Sequence, residues 1–222
     1  MRIRLSFAVI AFSIITVSAT TREGCNQNKI KTIVLRDQAD VIDAHLDYNE
    51  GTPSTFDANT GEANELPIFS WTVYGFPVTG RALIRFSLKS IPKKSEILSA
   101  KLSLYGYPEN FQSFAMPQGN KGDNIVVLQR VIDEWKENTV TWNNQPRVTR
   151  EGEIALPIST SQWNYNVINF DVTSLIKDMR TTENYGFSLR LQTEQTYRSI
   201  GFLSSEYSDV TKRPSLEITY KK

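Results

Sequence analysis

Short runs of alternating apolar and polar residues recur along this chain, and they constrain its fold more than any other feature. Ala82, Ile84, Phe86 and Leu88 alternate with Leu83, Arg85 and Ser87. Leu102 and Leu104 alternate with Lys101, Ser103 and Tyr105, and Phe187, Leu189 and Leu191 with Ser188, Arg190 and Gln192. A period of two belongs to a strand with one buried and one open face, whereas an amphipathic helix repeats near 3.6. Gly, Pro, Asn and Asp punctuate the runs, as they do between the short strands of a β-sandwich. With 222 residues, 40% of them hydrophobic, the chain can bury one sizeable core without disulfides. The expected fold is a single all-β sandwich domain. Two short helices are expected beside the strands. Val131, Ile132 and Trp135 sit at helical spacing, and Asp171 can cap a helix in which Leu175, Ile176 and Met179 share a face. Residues 47–67 are polar and read as a long excursion between strands.

The first residues read differently. Arg2 and Arg4 precede an apolar run at 5–17 that is too short to span a bilayer, and Val17-Ser18-Ala19 fits a small-residue cleavage pattern. Residues 1–19 are expected to be a signal peptide, 20–31 a polar tether and 32–222 the domain. That implies export, to the cell surface or the medium. Cys25 is the only cysteine, so no internal disulfide can form. It lies just past the apolar run and after Gly24, where a bacterial lipoprotein carries its lipid, although Arg22 and Glu23 depart from that pattern. Lipid on Cys25 would be the one membrane attachment. An inert tail thiol and an intermolecular disulfide are the alternatives.

Composition removes several functions. Lys and Arg number 25 against 24 Asp and Glu, and the balance turns slightly negative once Arg2 and Arg4 are gone. Nucleic-acid binding, which needs clustered cations, is not expected. The only histidine, His45, lies in the alternating stretch Asp43-Ala44-His45-Leu46-Asp47 and reads as structural. One histidine and one cysteine cannot build a zinc site, and no phosphate-cradling glycine loop is present. Carboxylate pairs for glycoside hydrolysis are a spatial matter that sequence does not reveal. No catalytic residue and no cofactor is assigned. For a structural calcium ion the oxygen-rich candidates are Asp37, Asp40 and Asp43, or the stretch 57–62, which lacks a distal bidentate glutamate.

One stretch carries more information. In residues 135–146, WKENTVTWNNQP, Trp135 and Trp142 frame the β-favouring Thr139-Val140-Thr141, Asn143 and Asn144 turn the chain, and Pro146 fixes the exit. Two large aromatics so close together read as anchors of a loop. The stretch resembles the W-x-E-x-x-V-T-W-N-N-x-P signature of the disaggregatase-related repeat domain, DNRLRE, a group that overlaps carbohydrate-binding module family ninety-six. Further matches follow in order. RALIRFSL at 81–88 is similar to R-x-L-I-R-F-D-L. Ile91-Pro92 and 97–105 resemble the run ending A-x-L-x-L-Y, and FDVTSLI at 170–176 resembles the helix start D-V-T-x-L-V. Residues 184–189 and 213–220 complete a resemblance covering roughly 32–220. Ser87 stands where the family usually has Asp, and Met179 where Trp is common.

The resemblance implies a jelly-roll-like sandwich and a non-catalytic polysaccharide-binding module, with alginate-like uronate polymers as partners. A jelly-roll polysaccharide lyase is the enzymatic rival, but the motifs of such enzymes are missing. A structural or adhesive surface module with a protein or envelope partner is the other rival. The residues themselves suggest where a glycan would sit. If Phe86, Leu104 and Leu189 point inward, then Arg85, Lys101, Tyr105, Arg190 and Gln192 point outward and are expected to share one open, carbohydrate-binding face. Arginine can grip a uronate carboxylate with two hydrogen bonds, lysine adds a point charge, and the Tyr105 ring offers an apolar platform. Trp71 with Tyr74, and Trp163 with Tyr165, are further aromatic candidates. Trp135 and Trp142 are read as folding residues.

Overall fold

A computed structural model describes residues 29–109 and 111–222. The expected signal peptide, most of the tether and Cys25 lie outside the described residues. The described chain is a two-sheet antiparallel β-sandwich. Four strands, β1 (Ile30–Leu35), β5 (Glu96–Leu104), β8 (Val167–Asp171) and β11 (Ser215–Lys221), form one sheet in the order β1-β11-β5-β8. The other sheet has seven strands: β2 (Val41–Asn49), β3 (Glu65–Val73), β4 (Phe76–Phe86), β6 (Val126–Val131), β7 (Val148–Ala155), β9 (Phe187–Leu191) and β10 (Arg198–Leu203). Its order is β10-β3-β4-β9-β6-β7, with β2 also paired to β4. The strand expected to open the domain starts two residues early, at Ile30, and the polar excursion shortens to the β2–β3 loop, which holds a 3-10 turn at Pro53–Asp57.

The alternation chose the core correctly. Ala82, Ile84 and Phe86 of β4, Leu102 and Leu104 of β5, and Leu189 and Leu191 of β9 are buried together between the sheets. Each of the leucine, isoleucine and phenylalanine side chains stabilises the fold by about 1.5–3 kcal/mol through burial. One α-helix is present among the described residues, α1 (Thr173–Thr181), and Leu175, Ile176 and Met179 form its buried face. Asp171 marks its start as expected, accepting the Thr173 amide at 2.9 Å, although the cap position itself falls on Val172. The helix expected around Val131, Ile132 and Trp135 does not form. Val131 ends β6, its amide donating to the Gly186 carbonyl at 3.0 Å, and the Ile132 amide donates to Arg147 at 3.0 Å. Long-range ladder bonds outcompete a local turn there. Gly186 permits this pairing: its φ is +84°, and a Cβ would collide with the Ile84 carbonyl.

The tryptophan-framed loop covers part of the outward face of β4. Leu83, expected on the open side, is buried with Ala44, Leu46, Val131, Trp135 and Val140 in a second apolar cluster. Trp135 donates its indole N–H to the Tyr185 carbonyl at 2.8 Å. Asn144 ties the turn from both ends, accepting the Thr141 amide at 2.7 Å and donating to the Thr139 carbonyl at 2.9 Å. Trp142 is half-buried against this cluster. A third cluster gathers Phe69, Val78, Tyr107, Met116 and Leu203, with Trp71, Tyr105 and Trp163 packed against it.

Candidate functional site

The outward side chains of the seven-stranded sheet converge on one carboxylate. Arg81 of β4 forms a two-pronged pair with Glu194, Nε to Oε1 at 2.7 Å and Nη2 to Oε2 at 3.0 Å. Arg190 of β9 reaches the same group, Nη2 to Oε1 at 3.0 Å. Arg81 also donates to the side-chain oxygen Oε1 of Gln145 at 3.0 Å, and its guanidinium lies 4.6 Å above the Trp142 ring. Trp142 is backed by Tyr48 at 5.4 Å, which stacks on Phe56 at 4.9 Å. Aromatic backing of this kind stiffens an arginine without neutralising it.

Charge here is unbalanced. Burial pushes the Arg190 guanidinium below the ordinary arginine value; Arg81 and Arg150 push the same way, and Glu194 and Glu153 oppose them. Glu153 is itself engaged by the Gln129 amide at 2.5 Å. Glu194 is thus the one carboxylate that Arg81 and Arg190 share. Gln192, two residues beyond Arg190, is exposed.

The chain then leads from Glu194 to a pair of rings. The Glu194 carbonyl accepts from Ser70 Oγ at 3.0 Å, fixing the loop to β3. Tyr197, with φ of +68°, meets Trp71 edge-on at 4.9 Å, and Lys121 Nζ lies 4.4 Å over the tyrosine ring. Trp71 thus gains a partner that the sequence did not suggest, while Tyr74 stands 97% exposed at the tip of the β3–β4 hairpin. Tyr74 and Gly75 both have positive φ, 51° and 86°, as the two central residues of a type I′ turn require. Trp163 is half-buried against the third cluster. Tyr165 packs on the main core, its hydroxyl donates to the Pro157 carbonyl, and burial raises its pKa to about 12.

The expectation of one shared face needs correction. Arg85, Arg190 and Gln192 belong to the seven-stranded sheet or its margin, but Lys101 is on β5 in the four-stranded sheet, and Tyr105 directly follows β5. Lys101 is closed in a pair with Asp171 at 2.6 Å. Tyr105 is half-buried against the third cluster with Lys212 Nζ 5.0 Å over its ring. Arg85 lies over the Trp135 ring at 5.6 Å and lines a cleft of about 850 Å³ with Lys89, Lys93, Arg180 and Glu183. Alternation states which face of its own strand a residue takes; it does not state which of two stacked sheets the strand joins. Arg81, Arg150, Lys121, Glu194 and Tyr197 were missed. Arg81 had a signal, because it falls on the same outward alternation as Arg85, whereas the others meet only through strand pairing and loop closure.

The acidic residues also regroup. The Asp37 carbonyl turns the chain into β2 by accepting the Asp40 and Val41 amides, while the Asp43 carboxylate converges with Glu137 and Glu206. Asp57 accepts from the Asn143 side chain at 2.8 Å. His45 is buried in β2, its Nδ1 3.0 Å from Asp47.

No curated protein matches the chain. Residues 52–220 match the family model of carbohydrate-binding module family 96. The match spans β3 to β11 and includes Arg81, Trp142, Arg190 and Glu194, so the chain belongs to carbohydrate-binding module family 96.

Proposed function

We propose that this carbohydrate-binding domain takes an acidic, uronate-type polysaccharide on the outer face of its seven-stranded sheet, and acts without catalysis as an exported module. The observation that carries the reading is the sharing of Glu194 by Arg81 and Arg190, with Arg150 adding to the positive side. A uronate carboxylate seated beside Arg190 would balance this charge with charge-assisted hydrogen bonds, each worth about 1.5–3 kcal/mol when well enclosed. The exposed amide of Gln192 suits sugar hydroxyls. The Trp71–Tyr197 pair and Lys121 would extend the site toward a second sugar along a loop fixed by Ser70. The apolar run at 5–17 with Ala19 supports export, and Cys25 is the residue that would carry a lipid.

Calorimetry of the chain from Thr20 onward with alginate and with a neutral glucan, at two salt concentrations, tests the ligand class. Alginate should bind and weaken with salt, since exposed charges are screened over about 8–10 Å near physiological ionic strength. Equal binding of the neutral glucan, or no binding of alginate, would overturn the reading. Intact mass of the protein from its native host tests export. A chain beginning at Thr20, or at a lipid-bearing Cys25, is expected, and one beginning at Met1 contradicts it.

A further inference from the structure

Away from the arginine face, three carboxylates from distant parts of the chain meet at β2. Asp43 comes from β2 itself, Glu137 from the tryptophan-framed loop and Glu206 from the segment after β10, and one oxygen of each lies within 4.8 Å of the others. Asp43 is 1% exposed. Its Oδ2 accepts the Ser205 amide at 2.8 Å, but its Oδ1, also buried, has no hydrogen-bond partner. A buried carboxylate oxygen left without a donor is costly, and two further carboxylates beside it make the cost larger. Arg85 is the cation that acts on Glu137, and it does not offset three acids.

The surroundings hold this arrangement in place. Glu137 Oε1 accepts the Asp43 amide at 2.9 Å. Asn59 donates to the Glu137 and Val140 carbonyls at 2.6 and 2.8 Å, and Thr60 donates to the His45 carbonyl at 2.5 Å. Gly61 is required at this contact, since a Cβ there would collide with the Glu137 carbonyl. Ser205 Oγ donates to both Glu206 oxygens, at 2.9 and 3.0 Å, which orients that carboxylate. The acids are thus fixed by groups that satisfy their other sides.

We infer that Asp43, Glu137 and Glu206 form a structural calcium site that ties β2, the tryptophan-framed loop and the segment after β10 together. All three donors are hard oxygens, which suit calcium rather than a nitrogen- or sulfur-seeking metal. Oxygens on opposite sides of a calcium ion, each at about 2.3–2.6 Å, are at most roughly 5 Å apart, and the observed spacing lies within that limit. Bidentate carboxylates and water complete its coordination. The site shares no residue with the arginine group proposed for glycan, and its test reads calcium binding and stability rather than glycan binding.

The test is thermal unfolding and calorimetry on the wild-type chain, stripped with a chelator and then titrated with calcium. At about a hundred times its Kd, calcium should raise the melting temperature by about 5–10 °C. Asp43→Asn, which keeps the shape but removes a charge, should melt above the stripped wild type and lose the calcium response. Glu206→Gln should weaken calcium binding at least tenfold and serves as the second variant if Asp43→Asn does not fold. If stripped and calcium-loaded wild type melt together with no binding heat, the three acids share a proton instead and the inference fails. An equal response to magnesium would overturn the assignment to calcium.

Discussion

Outward cations on the two sheets, Lys101 on one and Arg81 with Arg190 on the other, are partnered in opposite ways. On the four-stranded sheet Lys101 has a carboxylate of its own, Asp171 at 2.6 Å, and the pair is neutral. On the seven-stranded sheet Arg81 and Arg190 divide Glu194 between them, with Arg150 acting on the same group of charges. Both faces read alike in the sequence, as Lys or Arg in outward strand positions. What separates them is how many carboxylates each cation can claim. A cation with a whole partner is a surface ion pair of little energetic weight. One that shares its partner keeps a capacity for an anion from outside.

The faces also differ in support, and the largest expected effect tests that difference. Trp135→Ala should destabilise the domain by about 3–5 kcal/mol in denaturant unfolding, because the buried indole leaves a cavity and strands the Tyr185 carbonyl. A loss below about 1 kcal/mol would mean that the loop is not what holds the seven-stranded face. Trp142→Ala should cost less, about 1–3 kcal/mol, because its ring is half-buried. It should also weaken alginate binding by loosening Arg81, which lies over that ring. If Trp142→Ala changes stability alone, Arg81 is not part of the site.

The smallest effects belong to the four-stranded sheet. Asp171→Asn should change stability by about 0.2–1 kcal/mol, since both partners of its ion pair are partly exposed. Hydrogen bonds from Lys101 and Thr173 hold the Asp171 carboxyl below the usual carboxylate range. A lowered folded-state pKa stabilises the fold above the ordinary aspartate value, and the contribution is lost as pH falls through the lowered one. Unfolding of wild type and Asp171→Asn should therefore differ at pH 6 and converge toward pH 2. Curves that stay parallel would show that the pair does not contribute.

Most of the fold was legible because it rests on period two. Ala82, Ile84, Phe86 and Leu189 were placed in the core from alternation alone, and α1 from the spacing of Leu175, Ile176 and Met179. The stretch at Val131–Trp135 misled because three apolar residues at helical spacing also suit a strand end followed by a packed loop. The site was less legible. Arg190 and Gln192 stand out by alternation, but Glu194 acquires its meaning only when β4 and β9 pair and bring Arg81 beside it. Lys101 reads as one of them because a strand's sheet is decided by pairing over long sequence separations, which a local pattern does not encode. Asp43 was singled out among the acids, yet its partners Glu137 and Glu206 lie far along the chain and carry no mark of the meeting.

Calorimetry with alginate on Arg190→Ala and Lys101→Ala, side by side with wild type, bears most directly on the central claim. Both variants remove one cation from an outward strand position, so net charge and long-range attraction fall equally. Arg190→Ala should lose about 1.5–3 kcal/mol of binding, roughly ten- to a hundredfold in affinity, and Lys101→Ala should bind within about twofold of wild type. Equal losses in the two variants, or a larger loss for Lys101→Ala, would contradict the assignment of the glycan to the face where two arginines share Glu194.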